Sequence, residues 1–225
     1  ADDLLHKNYI EYFYKHLNKK YDFFYSNYDI IDHNNLKQGE WHKKYKNGSS
    51  KYTGQFKDGI PYGIFLHYYT TGELKVEKKY FHNGVATSCH FYYKSGQLKA
   101  SGIYVNELKD STWNYYNFNG ILILSEQYKS DVLNGFKKVF YDDGNLFEIQ
   151  YWKDGKKHGK FEQFFQNGQL KQTSNYYMGV KQGVEINYYF SGALHSKGLY
   201  KDGFKSSVWE YYSKDGVLDT TINIE

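Results

Sequence analysis

Short runs of alternating hydrophobic and polar residues recur along this chain in strict phase, every 24 residues. Residues 164–179 read FFQNGQLKQTSNYYMG, residues 92–107 read YYKSGQLKASGIYVNE and residues 188–203 read YYFSGALHSKGLYKDG. The glycines Gly48, Gly72, Gly96, Gly120, Gly144, Gly168, Gly192 and Gly216 keep the 24-residue spacing without exception. Two residues after each comes leucine, from Leu74 to Leu218, with Ser50 the single departure. Eight residues after each stands an aromatic ring, Phe56, Tyr80, Tyr104, Tyr128, Trp152, Tyr176 and Tyr200, until Ile224 closes the series. Nine residues before each stands a small residue: Gly39, Gly63, Thr87, Ser111, Gly135, Gly159, Gly183, Ser207. Eight copies without an insertion define a repeat array, and self-similarity of this kind decides the fold before any single element does.

Each unit reads as a β-hairpin. Asn47-Gly48, Asn119-Gly120, Asp143-Gly144, Asn167-Gly168 and Asp215-Gly216 are dipeptides suited to a two-residue type I′ turn. A second turn at Asp58-Gly59, Asn83-Gly84, Asp154-Gly155 and Asp202-Gly203 links one hairpin to the next. The flanks are aromatic and β-branched and lack helical spacing. The expectation is a mainly β fold: an elongated single-layer antiparallel meander of about sixteen strands, about 75 Å long at roughly 4.8 Å per strand. With a two-residue turn, Trp152 faces Gly135 and Tyr176 faces Gly159, rings covering strand glycines. The leucines, Tyr69, Tyr93, Tyr141, Phe165 and Tyr189, together with Trp41, Phe65, Trp113, Phe161 and Trp209, then form the packed face.

Residues 1–38 do not repeat. Leu5, Tyr9, Phe13 and Leu17 recur every four residues behind Asp2 and Asp3, which predicts a helix over about residues 3–19. The expected organisation is an N-terminal helical cap over 1–38 and eight hairpin repeats over 39–225.

The pattern G-x-W-x-x-Y-Y-x-N-G-x-L, followed by Y-x-x-G, runs over residues 39–224 and resembles the longer bacterial variant of the MORN repeat (membrane occupation and recognition nexus). The resemblance implies stacked hairpins in an elongated, solenoid-like twisted sheet that serves as a binding or scaffolding surface. It also brings phospholipid contact as a proposed role and, for some members, the label of an antitoxin component. Cys89, Lys137 and Glu185 replace the expected Trp or Phe, and Asn117 replaces a Tyr, so repeats three, five and seven are expected to pack less tightly.

Composition narrows the chemistry. The chain holds 27 Tyr, 16 Phe and 4 Trp, so its core must be built from rings. All basic residues are lysine, which removes the planar fork used for phosphate and base recognition. A net charge of +4 spread over such a length is thin for a nucleic-acid footprint, and nucleic acid is the less favoured partner. Cys89 is the sole cysteine, so neither an internal disulfide nor a cysteine zinc site can form. His42 and His90 share one phase two repeats apart, too far to hold one metal, and no base is arranged to activate Cys89. No cofactor, metal or catalytic residue is assigned. The first residue is Ala1 rather than Met, on which an exported location is favoured over a cytoplasmic one.

The candidate binding face lies opposite the packed one. Four residues before each turn glycine stand Tyr68, Tyr92, Tyr116, Phe140, Phe164, Tyr188 and Tyr212, broken by Lys44. Lys75, Lys99 and Lys171, three residues after, are expected across the hairpin from Tyr68, Tyr92 and Phe164. The expectation is a non-enzymatic repeat protein presenting this ladder to another protein or to a second copy. The alternatives are a peripheral anionic-membrane surface read by the lysines and an antitoxin-like component holding a partner toxin.

Overall fold

The computed structural model of the chain describes residues 24–26, 29–32 and 34–224. The helix expected over residues 3–19 lies outside the described residues. Within the expected cap, β1 (Phe24–Ser26) pairs with β2 (Asp29–Ile31). The chain divides into two compact units, residues 1–96 and 97–225. The first unit carries β3 (Gly39–Lys44), β4 (Ser50–Lys57), β5 (Ile60–Tyr68), β6 (Leu74–Phe81) and β7 (Ala86–Tyr92). The second carries β8 (Leu98–Val105), β9 (Leu108–Tyr116), β10 (Leu122–Lys129), β11 (Val132–Phe140), β12 (Leu146–Lys153) and β13 (Lys156–Phe164). It continues through β14 (Leu170–Tyr177), β15 (Val180–Tyr188), β16 (Leu194–Lys201), β17 (Phe204–Tyr212) and β18 (Leu218–Ile224). From β3 on, the strands of each unit lie in chain order and antiparallel, so the hairpin meander expected from the repeat is the architecture.

The tip turn is not of the type expected. At the hairpin tip, Gly48 N–H donates to Tyr45 O at 3.0 Å and Tyr45 N–H to Ser49 O at 2.8 Å. Gly48 has φ 87° while Asn47 stays negative, so the loop is a three-residue type I turn with a left-handed glycine, not type I′. Asn47 earns its place by another route: its Oδ1 accepts from Ser49 N–H at 3.1 Å, as Asp143 does from Asn145 at 2.9 Å and Asn167 from Gln169 at 3.1 Å. Type I′ geometry belongs to the links between hairpins, where both residues are left-handed at Asp58-Gly59, Asn106-Glu107, Ser130-Asp131, Asp154-Gly155, Met178-Gly179 and Asp202-Gly203.

Two irregularities set the register. At every tip from β3 to β18 whose pairing is described, the residue three after the glycine is one too many for the ladder. Tyr68 pairs with Leu74 and His67 with Val76, leaving Lys75 as the bulge, and Phe164, Leu170, Gln163 and Gln172 do the same around Lys171. Beyond this bulge the expected pairs hold, Gly135 with Trp152 and Gly159 with Tyr176. Between hairpins the second strand carries two residues in excess: Gly63-Ile64-Phe65 stand against Gly54, and Ser207-Val208-Trp209 against Gly198. The small residue nine before the tip glycine is the left-handed residue of this bend, at φ 68° in Gly63, 73° in Gly159 and 60° in Ser111. That backbone, and not ring cover, is why it is small. Thr87 is the test case, because a β-branched residue resists positive φ. Here β6 and β7 pair without a shift, and the left-handed residues move into the link as His82, Asn83 and Gly84.

The core is one row of side chains running across the strands of each unit. In the first it reads Trp41, Gly54, Phe65, Lys78, Cys89, each paired with the next except at the Gly54 bend. In the second it runs from Gly102 and Trp113 through Phe161 to Gly198 and Trp209. Rings lie flat over glycines: a Cβ added at Gly54, Gly102 or Gly198 would come within 2.2–2.7 Å of the ring of Phe65, Trp113 or Trp209. Aromatic cover of strand glycine therefore occurs, but at these pairs rather than at Trp152 with Gly135. Gly198→Ala is expected to lower the unfolding free energy by about 1–3 kcal/mol through overpacking. Its cost should shrink in a Trp209→Leu background, where the ring is gone. Urea denaturation of the four proteins reads both values, and additive costs would refute the direct clash.

Candidate functional site

The buried face of a single layer needs a cover, and the chain supplies it from its own lysines. Eleven residues before the tip glycine, Lys37 lies over Trp41 at 4.4 Å and Phe56 at 4.6 Å. Lys109 lies over Trp113 at 4.9 Å and Tyr128 at 5.0 Å, Lys157 over Tyr176 at 5.1 Å and Lys205 over Trp209 at 3.9 Å. Their aliphatic stems shield the rings while the ammonium stays near water, each contact contributing on the order of 0.5–1 kcal/mol. Rings eight after the tip glycine complete the cover edge to face, Tyr104 on Trp113 at 4.8 Å and Tyr200 on Trp209 at 5.4 Å. Trp209 is left 1% exposed. The sequence signal for this row is Lys four residues ahead of the Trp or Phe, which periodicity alone left unread.

Where the ring is replaced, a polar partner replaces the glycine. Lys137 binds the buried Glu126 at 3.1 Å, and Tyr128 Oη donates to the same carboxylate at 2.8 Å. Burial, then that hydrogen bond, pushes the Tyr128 hydroxyl pKa well above its ordinary value. Glu185 is held by the Lys181 ammonium. Cys89 is 1% exposed, and burial pushes its thiol up to about 11, so it is an inert small residue of the row and not an activated nucleophile. Among the described residues no group of three His, Cys, Asp or Glu could hold a metal, and no helix is long and apolar enough to cross a membrane.

The opposite face carries the aromatic row expected from the sequence. Tyr68 and Tyr92 in the first unit, and Tyr116, Phe140, Phe164, Tyr188 and Tyr212 in the second, are all half-buried at the last residue of their strands. On alternate strands they repeat at about 10 Å within each unit. At Tyr212 a polar neighbour two residues earlier holds the ring in place. Tyr212 Oη donates to Glu210, and Glu210 binds Lys197 at 3.0 Å. The Tyr212 hydrogen bond, then Lys197, lowers the Glu210 carboxyl pKa, and Glu210 raises that of Lys197. Burial, then the Glu77 charge, raises the Tyr92 hydroxyl pKa.

The lysines do not join this row as expected. As the bulged residue, Lys75 is not opposite Tyr68; it lies over Tyr69 at 5.5 Å, and Lys171 lies over Phe165 at 5.8 Å. Lys99 stands at the matching position of β8. The bulge re-aims the side chain toward the tip, where Phe147 on Tyr141 and His195 on Tyr189 take the same place. The tip tyrosines in turn bolt one repeat to the next. Tyr45 Oη donates to Tyr68 O, Tyr69 to Tyr92 O, Tyr141 to Phe164 O and Tyr189 to Tyr212 O, each at 2.8 Å. So the carbonyls of the candidate row are the anchor points of the tips.

A second apolar row on that face was missed. Val184 pairs with Leu199, and they are 50% and 37% exposed; Val208, at the matching place in the next hairpin, is 49% exposed, and Phe136 pairs with Tyr151, itself 48% exposed. Its signal is the apolar residue immediately after the small one in Gly135-Phe136, Gly183-Val184 and Ser207-Val208.

The Glu126–Lys137 contact allows a direct energetic test. Lys137→Met is expected to cost about 1–3 kcal/mol, reduced from a fully buried pair because Lys137 keeps 30% exposure, since Glu126 would be left without its counter-charge. Adding Glu126→Gln should restore part of the loss. A denaturation cycle showing no coupling between the two changes would contradict the pairing.

No curated protein matches the chain. The family model described as MORN repeat variant matches residues 157–176 and 181–202, which span most of β13 and of β14 and then most of β15 with β16. Residues 157–202 are thus variant MORN repeats, and the same tip turn, bulge and register recur in hairpins on either side of that stretch.

Proposed function

We propose that this is a non-enzymatic binding module whose tyrosine-bearing face docks another protein. The observation that carries the reading is the asymmetry of the two faces. One face buries its rings under lysines, whereas the other leaves Val184, Leu199, Val208 and Tyr151 between 37% and 50% exposed beside the half-buried row. Exposed apolar side chains, with Val184, Leu199 and Val208 on the consecutive strands β15, β16 and β17, on a surface that already has an alternative, covered face mark an interaction site. The polar groups interleaved with them, Glu210, Lys197 and the Asn114–Ser125 hydrogen bond at 2.7 Å, suit the mixed character of a protein interface. Membership of a family of binding repeats supports the same class. The buried Cys89 thiol offers no competing chemistry.

A photo-crosslinking residue placed at Tyr188 tests the reading in the native cell extract. The expected result is one crosslinked product of discrete mass, a partner or a second copy, absent when the probe stands at the tip residue Lys214. Val184→Glu with Val208→Glu should reduce that product at least about tenfold, as loss of interface-centre contacts does. Equal crosslinking from both probe positions would reject the face.

A further inference from the structure

The positive charge of the chain is not shared between its units. Residues 39–96 hold nine lysines against four carboxylates, whereas residues 97–225 hold fifteen of each. Within residues 41–57 stand five lysines and no carboxylate. Lys44, Lys46 and Lys51 crowd the β3–β4 tip, all exposed, with Lys44 paired to Ser50 and Lys51 the bulged residue over Tyr45 at 5.8 Å. Lys75 of the neighbouring β5–β6 tip and Lys94, just beyond β7, both lie over Tyr69, at 5.5 and 5.7 Å. The Tyr45 hydroxyl ties the two tips together through Tyr68 O. The carboxylate at these tips, Glu73, is engaged by the Thr71 hydroxyl.

We propose that these two tips of the first unit form a docking surface for an acidic polypeptide segment of the partner. The proposal rests on the protein-binding reading and names the chemistry of one part of it. Three observations favour carboxylates over phosphates. Three amides of the β3–β4 tip are already spent inside the loop, Gly48 on Tyr45 O, Tyr45 on Ser49 O and Ser49 on Asn47 Oδ1, which disfavours a backbone nest for a phosphate. Tyr45 and Tyr69 have their hydroxyls bonded and lysines over their rings, so neither offers a bare face on which a base could stack. The loop residues Lys46, Asn47, Gly48, Ser49 and Ser50 include nothing apolar to enter a bilayer. What remains is a cluster of long, separately mobile point charges, which suits a flexible chain of carboxylates.

The test is fluorescence anisotropy of a labelled oligoglutamate peptide with the whole chain. A labelled oligothymidylate and vesicles of mixed phosphatidylserine and phosphatidylcholine are compared at the same ionic strength. The peptide is expected to bind, more weakly as salt rises. Lys44→Gln, Lys46→Gln and Lys51→Gln together should weaken it about tenfold, while Lys156→Gln, Lys160→Gln and Lys201→Gln in the second unit should leave it within about twofold. Failure of the peptide to bind, equal loss from both triple variants, or tighter binding of oligothymidylate or vesicles through the same three lysines would overturn the proposal. If the Tyr188 crosslink persists while the peptide fails, the acidic segment alone is rejected. If the crosslink fails while the peptide binds, the fault lies with the broader reading.

Discussion

A ring laid flat over a strand glycine and roofed by a lysine is the contact on which the rest of this protein depends. A sheet of one layer has no second layer to bury its apolar face, so it must make an interior out of its own side chains. Trp209 does so by lying on Gly198 beneath Lys205, with Tyr200 against its edge. The same set recurs at Trp113 with Gly102, Lys109 and Tyr104. The glycine removes a Cβ, the ring fills the space, and the lysine stem keeps water away. Where the ring is lost the solution changes in kind. Glu126 with Lys137 places paired charges in the row, Glu185 takes its counter-charge from Lys181 at the covering position, and Cys89 stands beside the longer Lys78.

This contact requires the backbone to bend. A core ring such as Phe65 or Trp113 can reach across to the previous strand because two excess residues loop out ahead of it, led by the left-handed Gly63 or Ser111. The bend at the link and the bulge at the tip together set the face of every side chain. They also explain the behaviour of the third repeat. Thr87 resists the left-handed region, so the same excess is accommodated by His82, Asn83 and Gly84 in the link, and Cys89 still reaches its place in the row.

With one face closed, function falls to the other face and to the tips. The half-buried row of Tyr116, Phe140, Phe164, Tyr188 and Tyr212 was legible because its phase never breaks. The apolar strip of Val184, Leu199 and Val208 was not, since single valines after a glycine carry no periodic weight by themselves. The lysines were legible as a row but not as to place. Lys75 and Lys171 sit on the bulge, and a bulge rotates a side chain in a way that strict alternation cannot express.

The sequence by itself determined the period, the hairpin, the antiparallel order and which residues form continuous rows. All of these follow from backbone preferences and alternation acting over a few residues, repeated often enough to leave no second reading. It did not determine which turn is type I′, where the extra residues go, or which lysine covers which ring. Asn-Gly serves either turn equally well, and the choice falls to the tip only once Asn47 can use its side chain on Ser49 and Tyr45 can close the loop. The tertiary structure made those decisions because they depend on crowding between neighbouring strands, where Trp113 needs Gly102 bare and Lys109 overhead before its strand can lie down.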